Sequence, residues 1–170
     1  MLLPSSMDTM MTTSKVDALL TGERKVLTFM IKEQVFGIDM EPLVEVREWD
    51  EPTAMPGVPS HVRGISNLRG TTLPIIDLSD RLGWGETQVH SRSCVVVVEL
   101  SGRRAGFLVD QIADILPVRE ADVQPCPQIE VVEKQAIKGL VQLRQGSSET
   151  TLVLLDLAGL DVLGNMDLAA

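Results

Sequence analysis

The side chains most able to do chemistry are few and scattered: His61 and His90, Cys94 and Cys126, Asp77 and Asp156. An enzyme needs a nucleophile beside a base, an acid/base group in reach of substrate, or a metal held by several ligands. No serine lies in a nucleophile-elbow motif, no cysteine stands at catalytic or ligand-like spacing from a histidine, and no phosphate-binding loop occurs. Gly83-Trp84-Gly85 begins like a dinucleotide fingerprint but lacks the third glycine. Asp77 and Asp156 close two similar runs, and such a repeat suits a turn or cap better than a catalytic group. Trp49 and Trp84 read as packing residues, and the cysteines as reduced, largely buried thiols. No catalytic residue, no cofactor and no metal is therefore expected. Interface chemistry is what remains. Glu45, Arg47 and Glu48 punctuate a short apolar run, and Arg69 tips the turn Asn67-Leu68-Arg69-Gly70. An arginine there can clamp a partner's carboxylate, or close a salt bridge to Glu45 within the fold.

Composition narrows the partners. The net charge is −9 and basic residues cluster no further than Arg24-Lys25 and Arg103-Arg104, so phosphate backbones are repelled and nucleic acid is not expected. Aromatic residues make up 3% with no tyrosine, too few for base- or sugar-stacking platforms. Met1–Leu20 has neither the basic start nor the apolar stretch of a secretory signal, and no run is apolar enough to span a membrane. A cytoplasmic protein without membrane insertion is expected.

The elements that must position these groups are strands. Lys25–Ile31 is apolar at nearly every position, as in a strand covered on both faces, and Val35–Ile38 returns after a turn at Lys32-Glu33-Gln34. Leu43–Trp49, Val62–Leu68, Thr72–Leu78, Cys94–Leu100, Ala105–Val109, Ile137–Leu143 and Thr151–Leu157 follow, mostly bounded by Gly, Pro, Ser or Asp. Short helices fit only Leu78–Leu82 and Ala158–Leu163. The pattern predicts an all-β chain built as barrels or a sandwich.

The chain also repeats itself. Val35-Phe36-Gly37-Ile38 aligns with Arg104-Ala105-Gly106-Phe107, and at the same offset Glu45 falls on Asp114. Val62-Arg63-Gly64-Ile65 resembles Ile137-Lys138-Gly139-Leu140, and Pro74–Leu78 matches Val153–Leu157. The longer second copy takes its extra residues near Gln145–Thr150, a polar turn where insertion costs little. Two halves of like fold, about 24–90 and 91–163, are expected to pack together, because ~65 residues alone make a marginal core. Residues 1–23 read as a flexible tail, with one helical turn near Lys15–Leu20, and 164–170 as a second tail.

Phe36–Asp39, Glu45-Val46-Arg47, Val62–Gly70, Thr72–Leu78, Val95–Val98, Gly106–Asp110 and Val153–Leu157, in this order, resemble the CheW family over about Lys25–Leu163. The resemblance implies two five-stranded SH3-like barrels with short helices. It implies a non-enzymatic scaffold in chemotaxis signalling that binds the cytoplasmic tip of methyl-accepting chemoreceptors and a CheA-type histidine kinase. It carries receptor coupling onto Leu43, Glu45, Gly64 and Arg69, around a groove between the barrels, and kinase binding onto Gly106. Pro42, just before the Glu45 strand, and the Ser/Thr/Met-rich leader depart from the family pattern. They leave open a paralogue serving surface motility or another chemosensory pathway. From residue types alone, a ligand-binding β-barrel is the competing class. At this length no fused receiver domain is expected.

Overall fold

The computed structural model describes residues 23–126 and 136–160; both expected tails lie outside the described residues, except for Glu23, which opens the first strand. Among the described residues ten strands run in order: β1 (Glu23–Ile31), β2 (Gln34–Asp39), β3 (Leu43–Glu48), β4 (Val62–Leu68), β5 (Thr71–Asp77), β6 (Cys94–Leu100), β7 (Arg103–Val109), β8 (Gln111–Arg119), β9 (Ile137–Gln145) and β10 (Ser148–Leu155). One helical turn, α1 (Leu78–Arg81), follows β5, and a 3-10 turn at Leu157–Leu160 follows β10.

Two five-stranded sheets form, ordered β8-β1-β2-β10-β9 and β3-β6-β7-β5-β4. Replacing each strand of the first by its counterpart in the other sequence copy (β1 by β6, β2 by β7, and so on) gives the order of the second. The duplication is therefore also a topological one. The halves nevertheless do not close separate sheets. Each sheet takes a hairpin from one copy and three strands from the other, joined by parallel pairs: β2 with β10, and β5 with β7. The expected like halves are therefore interlocked, each sheet being completed across the duplication. The exchange binds the copies together, since neither half has a complete sheet without the other's hairpin.

Packing explains the apolar runs. Val95 and Val97 of β6 point into the interior of the second sheet with Leu68, Leu73 and Ile75, while Val96 and Val98 face the central core. In β1, Val26 packs inside the first sheet with Val141 and Leu152, whereas Leu27, Phe29 and Ile31 face the centre. The central core joins side chains of both sheets, among them Phe36, Ile38, Ile76 and Phe107. At roughly 1.5–3 kcal/mol per fully buried large side chain, this shared layer is what lets two small units stand together.

Matching glycines make room inside each sheet's interior. A Cβ on Gly37 would lie 2.5 Å from Val26 Cγ1, and one on Gly106 would lie 2.6 Å from Val95 Cγ1. Gly64 and Gly139 instead let a neighbouring backbone approach, at the isolated bridges Thr53–Ile65 and Gln124–Leu140. Through these bridges the chain running beyond each of the edge strands β3 and β8 pairs with the opposite edge strand of its sheet, β4 or β9, rolling the sheet toward a barrel.

Candidate functional site: the β3 edge and the barrel junction

Strand β3 is a sheet edge, and it carries Glu45, Arg47 and Glu48. The β4–β5 hairpin turns on Arg69 (φ 52°) and Gly70 (φ 84°), a two-residue turn with both centres left-handed, tied by the Gly70 N–H donating to Asn67 Oδ1 at 2.9 Å. Glycine holds such a φ freely, but arginine does so at a cost of order 1 kcal/mol or more. From this position Arg69 Nη1 reaches to 3.0 Å from Glu45 Oε2, a charge contact without the alignment of a hydrogen bond. Arg47 Nη1 lies 3.8 Å from the other oxygen. The intramolecular ion pair is thus formed, yet the Arg69 side chain remains 76% exposed. Such a pair is worth about 0–1 kcal/mol, so it orients the guanidinium at the rim and leaves it available to a partner.

The remaining expected site residues sit deeper. Leu43 opens β3, half-buried against the central core. Gly64 is buried and, at φ 149°, lies under the Thr53 carbonyl; Gly106 is buried under Val95 and Ile75. Neither glycine presents a surface of its own, so each acts through the backbone it lets approach. Glu45, Gly64 and Arg69 belong to the closing edges of one sheet, and Gly106 to the interior of the same sheet. A groove between the sheets exists elsewhere, lined by Ile38, Asp39, Pro42, Leu100, Lys138 and Asp156. Leu43 follows directly on its rim residue Pro42, whose carbonyl accepts the Glu99 N–H at 2.9 Å. The unexpected proline therefore sits at an edge-strand entrance, where its missing N–H is tolerated, and it shapes that rim.

Behind the β3 edge lies a polar cluster that the sequence did not reveal. The Asp77 carboxylate is fully buried. Its Oδ2 accepts Arg63 Nε at 3.2 Å, Arg63 Nη2 at 3.0 Å and the Thr87 N–H at 2.8 Å. Its Oδ1 accepts the Thr87 hydroxyl at 2.7 Å and, as the cap of α1, the Asp80 N–H at 3.3 Å. Arg63 also donates to the Thr87 carbonyl at 2.6 Å and lies 6.0 Å from the centre of the Trp49 ring. The cap role inferred from recurrence is present, within a larger clamp that fixes the connector 82–93 onto β4 and β5. Trp84 of that connector packs on Phe36 of the other sheet, ring centres 5.3 Å apart.

His90 Nδ1 accepts the Arg92 N–H in a local turn. Burial, helped by Arg81, holds the His61 imidazole below its ordinary pKa of 6.5. Burial pushes the Cys94 thiol up, and it lies 3.3 Å from the Arg92 carbonyl. Among the described residues no cluster of three or more His, Cys, Asp or Glu is placed to hold a metal, and no helix is long and apolar enough to cross a membrane.

Two features of this surface repeat. Val46 on β3 is 40% exposed, and at the matching place on the other sheet's edge strand, β8, Ile115 is 50% exposed. Each is an apolar side chain on an edge strand beside an acidic residue, Glu45 or Asp114. The recurrence was legible only through the offset of the duplication.

This chain is similar to known proteins in sequence and in fold. The profile of the CheW-like domain matches residues 25–162. A Rhizobium etli protein named probable chemotaxis protein CheW is 36% identical over 129 residues, spanning 75% of this chain and 83% of its own. The chemotaxis protein CheW of Rhizobium meliloti is 38% identical over 117 residues, covering 69% of this chain and 76% of that one. The crystal structure of the scaffolding protein TtCheW from Thermoanaerobacter tengcongensis superposes with a TM-score of 0.75 at 26% identity, over 86% of this chain and 92% of that chain. By fold, internal symmetry and sequence together, this chain belongs to the CheW-like family.

Proposed function

We propose that this protein is a cytoplasmic, non-enzymatic scaffold that couples methyl-accepting chemoreceptors to a CheA-type histidine kinase. The observation that carries the reading is the pair of matching edges, β3 with Val46 and β8 with Ile115, one on each sheet. A scaffold must hold two partners at once, and two rigid edges fixed across a shared core supply that. The relatives' names, chemotaxis protein and scaffolding protein, support the same role. We assign receptor binding to the β3 edge. Arg69 and Glu45 set orientation at the rim, Leu43 contributes apolar contact where β3 begins, and Gly64 shapes the backbone beneath. Kinase binding is assigned to the second edge, β8, and Gly106 acts on it through β7, whose Ala105 and Phe107 pack in the core shared with the sheet that ends in β8.

The test is Arg69→Ala. Removing an oriented rim charge at a modest interface costs about 1–2 kcal/mol, roughly a 5- to 30-fold loss of affinity. The variant is expected to unfold as cooperatively as the parent while binding a receptor signalling fragment that much more weakly. Loss of cooperative unfolding, with affinity unchanged in the folded fraction, would instead make the Glu45–Arg69 pair purely structural.

A further inference from the structure

Strands β3 and β4 are the two edges of one sheet, and three contacts cross the seam between them. Glu45 reaches Arg69 of the β4–β5 turn, and beyond β3 Thr53 pairs with Ile65 through backbone bonds of 2.9 and 2.8 Å. Between these, the Arg63 guanidinium carbon lies over the Trp49 ring, 6.0 Å from its centre and within reach of a cation–π attraction. The Glu45–Arg69 contact is exposed and loosely held, whereas the Arg63 side is fixed in advance. Its Nε and Nη2 donate to the fully buried Asp77 carboxylate, and Nη2 donates also to the Thr87 carbonyl, so the guanidinium plane cannot swing away from the ring. Trp49 in turn packs, with Val44, on the interior cluster around Leu73 and Val95, and its N–H donates to the Ser93 carbonyl at 3.3 Å. Val44 and Trp49 therefore fasten β3 at its two ends, with Glu45, Val46, Arg47 and Glu48 between them.

The second copy builds the matching seam differently. At the offset that puts Glu45 on Asp114, Trp49 falls on Val118, a buried aliphatic side chain in the interior of the first sheet. Arg63 falls on Lys138, whose ammonium binds Asp39 of β2 at 2.6 Å. The backbone bridge is kept, as Gln124–Leu140, but a valine offers no ring to a cation. The Arg63–Trp49 contact thus belongs to the copy whose edge carries Glu45 and Arg69. Resting on the assignment of receptor binding to that edge, we infer that Arg63 is a positioning residue for it. Held by Asp77 and Thr87, it fixes Trp49 across the seam and so sets where Glu45 stands relative to Arg69.

Arg63→Lys in the full-length chain tests this, because it keeps a positive charge beside Asp77 but loses the planar fork. Hydrogen exchange followed by mass spectrometry should show amides of 44–53 exchanging roughly ten-fold faster than in the parent. Affinity for a receptor signalling fragment should fall roughly 3- to 10-fold, while affinity for a CheA-type kinase regulatory domain stays within about two-fold. Should that variant misfold, Trp49→Leu removes the same contact from the other side and should give the same three results. Trp49→Phe, which keeps a ring under Arg63, should hold receptor affinity within about two-fold of the parent. Unchanged exchange at 44–53 would overturn the inference, and so would faster exchange with receptor affinity intact. Equal loss of both partners would reduce Arg63 to a structural role and overturn it too, as would a Trp49→Phe variant as weak as Trp49→Leu. A well-folded parent that binds no receptor fragment would remove the receptor assignment itself, and this inference with it, whatever the exchange at 44–53.

Discussion

Replacing Asp77 by alanine removes the acceptor on which five donor groups converge. Arg63 Nε and Nη2, the Thr87 N–H and hydroxyl, and the Asp80 N–H all lose it. The Arg63 side chain is 26% exposed, so its charge would be left largely desolvated. Breaking a buried pair from one side costs about 3–5 kcal/mol. Arg63 keeps its bond to the Thr87 carbonyl and some access to water, which places the expected loss near the lower end, about 3 kcal/mol. For a chain of this size a loss of about 3 kcal/mol lowers Tm by roughly 6–12 °C. Thermal unfolding by circular dichroism measures the shift, and hydrogen exchange locates it, with residues 82–93 loosening first. Asp77→Asn, which keeps the shape and one acceptor oxygen, should lose less. An Asp77→Ala protein within about 2 °C of the parent, with the connector still protected, would refute the clamp reasoning.

Other perturbations follow from the same geometry. Gly106→Ala places a Cβ against Val95 and Ile75 and should cost about 1–3 kcal/mol in urea unfolding; Gly64→Ala should cost more, because the obstacle there is the Thr53 backbone and φ is positive. A coupling defect in either variant therefore has to be read beside its stability. His61 is held below its ordinary pKa of 6.5, so as pH falls through that value the unfolded chain takes up a proton that the folded chain resists. Its contribution to stability is full above 6.5, declines below it, and levels off once the folded imidazole also protonates. Between about pH 8 and about pH 5.5 the parent should lose more Tm than His61→Gln; equal losses would remove His61 from the account.

Much of the fold was legible because its signals are local. Val62–Leu68 and Cys94–Leu100 are strands at the residues expected, and Arg69-Gly70 makes the tight turn its glycine suggested. The run read as covered on both faces, Lys25–Ile31, does lie between a sheet interior and the shared core, and Val95–Val98 lies so too. Strand β8 was legible only as the counterpart of β3. As an edge it exposes Ala113, Asp114 and Ile115 and carries Pro117, so it shows neither alternation nor an apolar run. The exchange of hairpins was hidden because the pairs β2–β10 and β5–β7 join residues far apart in sequence. The expected helix at Ala158–Leu163 is a 3-10 turn at Leu157–Leu160, and 161–163 lie outside the described residues. Of the site, Glu45 and Arg69 could be picked from charge and turn position. Arg63 and Thr87 could not, since nothing in a lone arginine and a lone threonine 24 residues apart announces a shared buried carboxylate.

The central claim is that one folded chain holds two different partners. Its most direct measurement is the affinity of the purified full-length protein for a CheA-type kinase regulatory domain and for a receptor signalling fragment, taken separately and then together. The account predicts binding to each alone and a ternary complex when both are present. Binding to neither by well-folded protein would contradict it, and so would competition between the two for one edge.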